Sequence, residues 1–508
     1  MLRTLIGKEI VETVLDLRFV VATGLCLVLI PLGMYVSRED YERRLAGYEQ
    51  QHQTYRQRHS RPEGPVVGRE EAQGFRPPSI LSIFASGLDP FMPDKVITSH
   101  TGLFRTTKAP DVDNPESVLF GKADWLFNIT FIVSLMALIF TYNTISGEKE
   151  KGTLRLMIAD AVPRHQILLS KIVGKYVALL IPFGLSVLIA LLVLELSPAV
   201  AVASAQVGPA FLAILGATLL FVLSMVSLGI CISTFTRHAM GSLVLLFFVW
   251  AMLVLGVPKV CPMLAEAIYP LQGDTGISFT KRLAREDIER QFEQVKKETI
   301  DDKRKAEEEA TLGRYEPMFN EITARVREAG REPTREDYTE MNRALNADLR
   351  DIDARYSPLL ERLIEECDIR IAKELKRIEE DYRNKRSTQF AVAMNLCRIS
   401  PVSCYAYVVS GISGTGVTEP DDFVQNAQRF QDQVTAVFYD QLSLGLGRQK
   451  RAEGFDVWEP PAFPDMMYHY PSLAEALAVH WPDMLLLGLF NVLFAALAFL
   501  RFNKYDVR

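Results

Sequence analysis

Apolar and charged residues are separated along this chain into alternating segments. Six segments of about 20 residues carry almost no charge, and this is the length that a helix needs to cross a hydrocarbon core of about 30 Å. The pattern predicts six membrane-spanning helices, at residues 18–36, 125–145, 176–196, 207–233, 241–257 and 481–502. The first of them is short and contains Pro31, so hydropathy alone supports it least. We therefore expect a mainly α-helical fold built on a six-helix transmembrane domain.

The segment before the first predicted span, residues 1–17, has a different pattern. Leu2, Ile6 and the apolar residues of the next turns fall on one helical stripe, while Arg3 and Lys8 lie away from it. A helix with one apolar and one charged face is suited to the membrane interface. The pattern predicts an amphipathic interfacial helix here.

Basic residues in the short connections indicate the orientation. Lys and Arg precede the first span, follow the second span and occur in the tail, residues 503–508. Because short cytoplasmic connections carry an excess of Lys and Arg, both termini are predicted to be cytoplasmic. The two long connections, 37–124 and 258–480, are then external.

The two external regions differ in composition. Residues 37–124 are rich in proline and show no long period, which predicts a loop-rich region with short helices. About half of the residues from 281 to 386 are charged, with both signs interspersed, which is typical of long solvated helices. Apolar residues at coiled-coil spacing follow within this stretch: Leu360, Ile364, Cys367, Ile371, Leu375, Ile378 and Tyr382. We predict an external α-helical coiled-coil domain, which is either a docking arm for a partner or an inert solvated bundle.

Composition agrees with this division. The chain has 508 residues, of which 49% are hydrophobic and 23% charged, with a mean hydropathy of +0.09. These values are high for a soluble protein unless the apolar residues are collected into membrane segments.

Motifs for catalysis or cofactor binding are absent from the sequence. There is no GxxxxGK[ST] phosphate loop, so this chain is not expected to hydrolyse ATP, to be an enzyme or to hold a cofactor. Cys261, Cys367, Cys397 and Cys404 lie in predicted external regions and allow up to two disulfides, of which Cys397 with Cys404 is favoured. Their spacing does not predict a metal site, and no nucleic-acid partner is expected.

The polar elbow between the second and third spans, residues 146–175, is the most informative segment. Glu148 and Glu150 precede a break at Gly152 and Thr153, and an apolar run that starts at Leu154 follows. Pro163 ends that run, and a second helix then carries Arg164, Ile167 and Lys171. These residues alone leave two interpretations open, an interfacial turn that anchors two helices or a surface on which a partner docks.

The elbow resembles the coupling segment of ABC-2 type transporter permeases. The strings EKEKGTLRLM, from Glu148, and VPRHQILLSK, which ends at Lys171, carry the resemblance. It implies a six-helix, type V exporter-like topology, a dimer, and an elbow that docks on a separate ATPase subunit, where ATP and Mg²⁺ would bind. The residues implied for coupling are Glu148, Glu150, Gly152, Thr153, Leu154, Pro163, Arg164, Ile167 and Lys171.

Two external segments resemble a subgroup of these permeases with enlarged external domains, which are linked to multicopper enzyme maturation. They are RPPSILSIFASGLDP, from Arg76 to Pro90, and the stretch that starts at Ser400-Pro401 and contains Gly414-Thr415-Gly416. The resemblance implies a bacterial cytoplasmic (inner) membrane.

Three functions follow from these observations. The first is the permease subunit of an ATP-binding cassette exporter, and the second is a mechanical transmitter that acts on an external partner through the helical arm. The third is a membrane scaffold unrelated to ATP-binding cassette proteins, for which the elbow would be dispensable. The spans carry no polar pattern that identifies a substrate.

Overall fold

A computed structural model of the chain describes residues 2–59, 72–89, 92–98, 104–107, 123–159, 163–196, 200, 204, 207–271, 273–416, 418–443, 449–452, 455–458 and 464–504. The chain divides into two compact units. Unit 1 comprises Met1–Cys261 and Asn395–Arg508, and unit 2 comprises Pro262–Met394.

Helices make up most of the described residues. They are α1 (Leu2–Val14), α2 (Leu17–His59), α3 (Trp125–Phe127, a π-helical turn at Asn128–Val133, and Ser134–Thr141), α4 (Ser146–Lys151), α5 (Thr153–Ala159), α6 (Arg164–Glu195), α7 (Val207–Phe235), α8 (Ala239–Ala251, a π-helical turn at Met252–Gly256, and Val257–Ile268), α9 (Asp274–Lys296, a π-helical turn at Lys297–Asp301, and Asp302–Glu328), α10 (Thr339–Cys397), α11 (Pro401–Ile412), α12 (Glu419–Ser443) and α13 (Leu473–Asn503). Short 3₁₀ helices lie at Ile80–Ile83 and Arg335–Tyr338.

Within the described ranges, six helices are long and apolar enough to cross a membrane, and they include α2, α3, α6, α7, α8 and α13. The predicted mainly α-helical fold with six spanning candidates is therefore confirmed. The first of them differs from its prediction, because α2 continues beyond residue 36 to His59. Residues 38–59 are polar but lack proline and are rich in Glu, Gln and Arg, which favour a solvated helix. The helix therefore covers residues 37–59, which had been predicted as part of a loop-rich region.

Unit 1 also contains two small antiparallel sheets that the sequence did not predict. Strands β1 (Ala72–Phe75), β2 (Lys95–Thr98) and β3 (Phe104–Thr107) form one sheet in that order, and β4 (Gln449–Ala452) pairs with β5 (Phe455–Trp458). Apolar residues of β1 and β2 pack against α12 in a satellite core of Ala72, Met92, Val96, Phe423, Ala427, Phe430 and Val434. The amphipathic helix α12 therefore packs its apolar side against β1 and β2.

The main core of unit 1 lies among the long apolar helices. The core includes a polar cluster beside α11. There the indole Nε1 of Trp125 donates to the hydroxyl of Tyr405, on α11, at 3.2 Å and to Thr218 Oγ1 at 3.3 Å. Tyr405 also stacks on Phe221, with ring centroids 4.6 Å apart. Because each polar group in this cluster has a partner, these large side chains can be buried at little cost.

Unit 2 is a hairpin of two long antiparallel helices, α9 and α10. Polar contacts join the two helices in an antiparallel arrangement: Lys281 with Glu379, Arg304 with Asp353, Glu307 with Arg355, and Tyr315 with Asp348. Beyond them, Thr323 contacts Tyr338 of the 3₁₀ helix that precedes α10. On the predicted seam, Ile371 is buried at 9% exposure, whereas Ile364 is 44% exposed. The helical hairpin is thus present, and the coiled-coil geometry of this pair stays a prediction.

Candidate coupling site

The polar elbow folds as two short helices that meet at a glycine. Helix α4 ends at Gly152, which has φ +74°, and α5 starts at Thr153. This left-handed conformation is readily available only to glycine, so the sharp break between the helices depends on that residue. Pro163 then precedes the first turn of α6, with an extended ψ of 129°.

A buried ion cluster connects α4 with two other helices. Lys171 on α6 is 2% exposed, and its Nζ donates to Glu148 Oε1 at 2.6 Å and to Glu9 Oε1 at 2.8 Å. Glu9 belongs to α1 and is itself only 6% exposed. One ammonium group therefore bridges the N-terminal helix, the elbow and the third long apolar helix. Such a group is stable in a buried site because both carboxylates compensate its charge.

Close packing between α1 and α6 holds Glu9 in place. A Cβ atom added at Gly174 would lie 2.6 Å from Glu9 Cβ, so the two helices approach each other at a point where only glycine fits. One turn further on, Lys175 Nζ donates to Thr13 Oγ1 at 3.0 Å. The face of α1 that contacts α6 thus includes polar residues at positions 9 and 13.

Helix α4 is also tied to the end of α7 and the start of α8. Ser233 Oγ accepts hydrogen bonds from the backbone N–H groups of Ile145 and Ser146, both at 3.0 Å. Lys149 Nζ donates to the carbonyl of Thr236 at 3.1 Å, and Glu150 Oε2 accepts from the N–H of Ala239 at 2.9 Å. Since carbonyls at a helix C-terminus lack partners within the helix, Lys149 stabilises the end of α7.

Helix α5 has a different character. Leu154 is fully buried and fixes the start of this helix to the core, whereas Leu156 is 72% exposed. Arg155 and Thr153 are also exposed. An exposed leucine flanked by a cation on a short helix is a surface that a partner protein can cover.

The structure divides the predicted coupling residues into those that make contacts within the chain and those that are exposed to a partner. Glu148, Glu150 and Lys171 have their charged groups engaged within the chain, and Ile167 lies in the core at 2% exposure. Arg164 donates to the backbone carbonyl of Phe502 at 3.4 Å, at the end of α13. Sequence reasoning had placed all of them at the partner surface without separating inner from outer contacts.

Two residues of the site escaped the sequence reasoning, Glu9 and Ser233. Glu9 and Thr13 interrupt the apolar stripe of α1 at a spacing of four, and a carboxylate within such a stripe is a signal for a buried cation on another helix. Ser233 carries no comparable signal, because serine near a helix end is common.

All six cysteines are free thiols in the structure, so the predicted disulfide between Cys397 and Cys404 stays a prediction. Cys397 ends α10 and its Sγ donates to the carbonyl of Val257 at 3.9 Å, while Cys404 Sγ donates to the carbonyl of Arg398 at 3.6 Å. Since Pro401 starts a new helix between them, the two side chains have separate surroundings.

A second buried polar cluster lies beside the three-stranded sheet, within one of the segments singled out in the sequence. Arg76 pairs with Asp89 at 2.7 Å and also donates to the Tyr470 hydroxyl at 3.1 Å. Nearby, Glu419 is 2% exposed and accepts from the Tyr468 hydroxyl at 3.2 Å. Burial, reinforced by the negative charge of Asp422, raises the pKa of Glu419 to about 7.

Comparison with known proteins agrees with the resemblance carried by the elbow. A family model described as "ABC-2 family transporter protein" matches residues 3–507. The chain is also similar to the probable ABC transporter permease protein NosY of Stutzerimonas stutzeri, with 48% identity over 69 residues. That alignment covers 13% of this chain and only 25% of NosY. With its long apolar helices, the protein is a multi-pass membrane protein, and the chain belongs to the ABC-2 transporter family.

Proposed function

We propose that this chain is the transmembrane permease subunit of an ATP-binding cassette exporter, and that a separate ATPase subunit docks on α5. The observation that carries the proposal is the division of the elbow. Helix α4 is fixed to its neighbours by buried polar contacts, whereas α5 offers the exposed Leu156 to a partner.

The contacts of α4 give a route for mechanical coupling. A displacement of α5 is transferred through Gly152 to α4, because Leu154 and the buried contacts leave these short helices little freedom to move alone. From α4 it reaches α6 and α1 through Lys171, α7 through Ser233, and α8 through Glu150. One short helix, α4, is thus connected to four other helices. An ATPase that rearranges the membrane domain needs such a connection to several helices at once.

The proposal includes partners that this chain does not contain. ATP and Mg²⁺ bind on the ATPase subunit, because the sequence has no phosphate loop. The elbow and both termini face the cytoplasm, and a second copy of the chain completes the transport pathway. The membrane is the cytoplasmic membrane of a bacterium.

The test uses Leu156→Asp in the full chain, co-expressed with its ATPase subunit. A charge at the centre of the docking surface should lower both the co-purified ATPase and the subunit-stimulated ATP turnover by about ten-fold or more. Leu15→Asp is the matched control, because Leu15 is 81% exposed but belongs to the connection between α1 and α2 instead of the elbow. If Leu156→Asp retains wild-type recovery and turnover, α5 is not the docking surface.

Unit 2 supports a second candidate, mechanical transmission to an external protein. Its two helices form a long charged hairpin with regular contacts along its length, which suits the transfer of movement away from the membrane. Replacing residues 309–351 by a short glycine-containing turn keeps the pairs Lys281 with Glu379 and Arg304 with Asp353. A transmitter should lose its cellular function in this variant while ATP turnover is unchanged, whereas an exporter should retain both.

Membership of the ABC-2 family removes the third interpretation, a scaffold unrelated to ATP-binding cassette transporters.

A further inference from the structure

Two buried cysteines from distant parts of the sequence lie side by side in unit 1. Cys261 on α8 is 8% exposed and Cys397 at the end of α10 is 4% exposed, and both belong to one small apolar cluster with Val257. The thiol of Cys397 lies 3.9 Å from the carbonyl oxygen of Val257. In a helix this carbonyl is the acceptor for the N–H four residues on, which is that of Cys261. Burial raises the pKa of the Cys397 thiol, and the nearby Cys261 raises it further, whereas Tyr407 lowers it.

These cysteines mark a special place in the chain. Unit 2 is inserted into unit 1 as residues 262–394, so the chain leaves unit 1 directly after Cys261 and returns to it just before Cys397. The two connections to unit 2 therefore pass by this pair of thiols.

The other cysteines of the described residues have different surroundings. Cys26 and Cys231 are buried in α2 and α7, and Cys26 Sγ contacts Met136 Sδ at 3.5 Å. Cys404 donates to the carbonyl of Arg398, and Cys367 lies within unit 2. Only the pair at the connections combines proximity, burial and a predicted position on the external side.

We propose that Cys261 and Cys397 form a disulfide in the mature protein, which closes the base of unit 2. The inference rests on the proposed orientation, which puts both cysteines on the external side of a bacterial cytoplasmic membrane. That side is oxidising, and disulfides persist there. The oxidant is the disulfide of a thiol–disulfide oxidoreductase. One cysteine thiolate attacks that disulfide, forms a mixed disulfide with one oxidoreductase sulfur and releases the other as a thiolate. The second cysteine thiolate attacks the chain's sulfur in the mixed disulfide and displaces the remaining oxidoreductase thiolate, so the S–S bond of the chain forms and the oxidoreductase is left as its dithiol.

The bond would tie the last part of the fifth long apolar helix, α8, to the residues that lead into α11. The disulfide would join the two segments through which the chain leaves unit 1 and returns to it. These two segments could then not separate when the membrane domain rearranges. Movement of α8 is then delivered to both helices of the hairpin together.

The experiment uses the full chain in its native membrane. Cells are quenched in acid, free thiols are blocked with N-ethylmaleimide under denaturing conditions, and the purified chain is digested without reduction for mass spectrometry. We expect a peptide pair that joins Cys261 to Cys397 and disappears after reduction. The same pair should persist in Cys404→Ser and be lost in Cys261→Ser. Recovery of both wild-type cysteines as maleimide adducts would overturn the proposal.

Orientation is tested separately with a membrane-impermeant maleimide on intact cells. Glu328→Cys, on the exposed surface of unit 2, should react above the wild-type background, whereas Arg155→Cys on α5 should not. The reverse pattern overturns the orientation, and the disulfide with it. The expected pattern together with free Cys261 and Cys397 overturns the disulfide alone and leaves the proposed function intact.

Discussion

Lys171 offers the sharpest test of how the elbow is held. Replacing it by methionine keeps most of the side-chain volume but removes the ammonium group, so the Glu9 and Glu148 carboxylates remain in a buried site without their shared counter-charge. Removing one partner of a buried ion pair costs about 3–5 kcal/mol. Lys171 serves two carboxylates at 2.6 and 2.8 Å, which places the expected loss in the upper part of that range.

Lys175 is the matched control, because it lies one turn away on the same helix. It is half-buried, and the bond that its Nζ donates goes to the neutral hydroxyl of Thr13 at 3.0 Å. The loss of one such hydrogen bond costs only about 1 kcal/mol. Lys175→Met should therefore destabilise the protein much less than Lys171→Met, although both remove one lysine from α6.

The assay is the thermal unfolding midpoint of the purified chain in mild detergent, followed by tryptophan fluorescence. We expect the midpoint to fall in the order wild type, Lys175→Met, Lys171→Met. A triple variant with Glu9→Leu, Glu148→Leu and Lys171→Met should recover most of the loss, because replacing a whole buried ion cluster by apolar residues is often neutral. Equal midpoints for the two single lysine variants would refute the reasoning.

The remaining predictions concern pH, capping and the elbow break. The pKa of Glu419 is raised from 4.5 to about 7, so this carboxyl group keeps its proton in the native chain at pH values where the unfolded chain has lost it. The free energy of unfolding should therefore fall by up to about 3 kcal/mol as the pH rises from 4.5 to 7. Glu419→Gln removes this dependence, so its midpoint should exceed that of wild type increasingly from pH 5 to pH 8, and a constant difference would contradict the assignment. Ser233→Ala leaves the N–H groups of Ile145 and Ser146 buried without their acceptor, which should cost about 1–3 kcal/mol, and an unchanged midpoint would mean that another group replaces it. At Gly152 an added Cβ atom would meet nothing within 4 Å, so a substitution there affects only the backbone. The left-handed conformation costs valine about 1–2 kcal/mol and asparagine less. The ATP turnover of the partner subunit should therefore fall from wild type to Gly152→Asn to Gly152→Val. Equal turnover in all three would show that the break does not matter for coupling.

The long apolar helices were predictable because hydropathy is a local property of the sequence. The same reasoning failed beyond residue 36, where α2 continues as a polar helix to His59. No apolar period marks that part, since a solvated helix depends on backbone propensity instead of a buried stripe. The short strands were missed for a related reason, as four residues are too few to show a period of two.

The candidate site was predictable in position but not in its contacts. The elbow motif identified Glu148 and Lys171 without indicating that they contact each other, 23 residues apart. Their third partner, Glu9, lies 162 residues from Lys171, and only the packing of α1 at Gly174 brings it there. The cysteine prediction was limited in the same way. It paired near neighbours in sequence, whereas the thiols that meet are separated by the whole of unit 2.

The register of the unit 2 hairpin limits how this part of the protein can change in length during evolution. Its contacts pair residues of α9 with residues of α10 in antiparallel order, from Lys281 with Glu379 to Tyr315 with Asp348. An insertion of seven residues in one helix alone would displace every pair on one side of it by about 10 Å. Insertions of equal size opposite each other would preserve all of them. Relatives with longer or shorter arms should therefore differ by matched steps in both helices, and the reach of the arm can vary while its base stays the same.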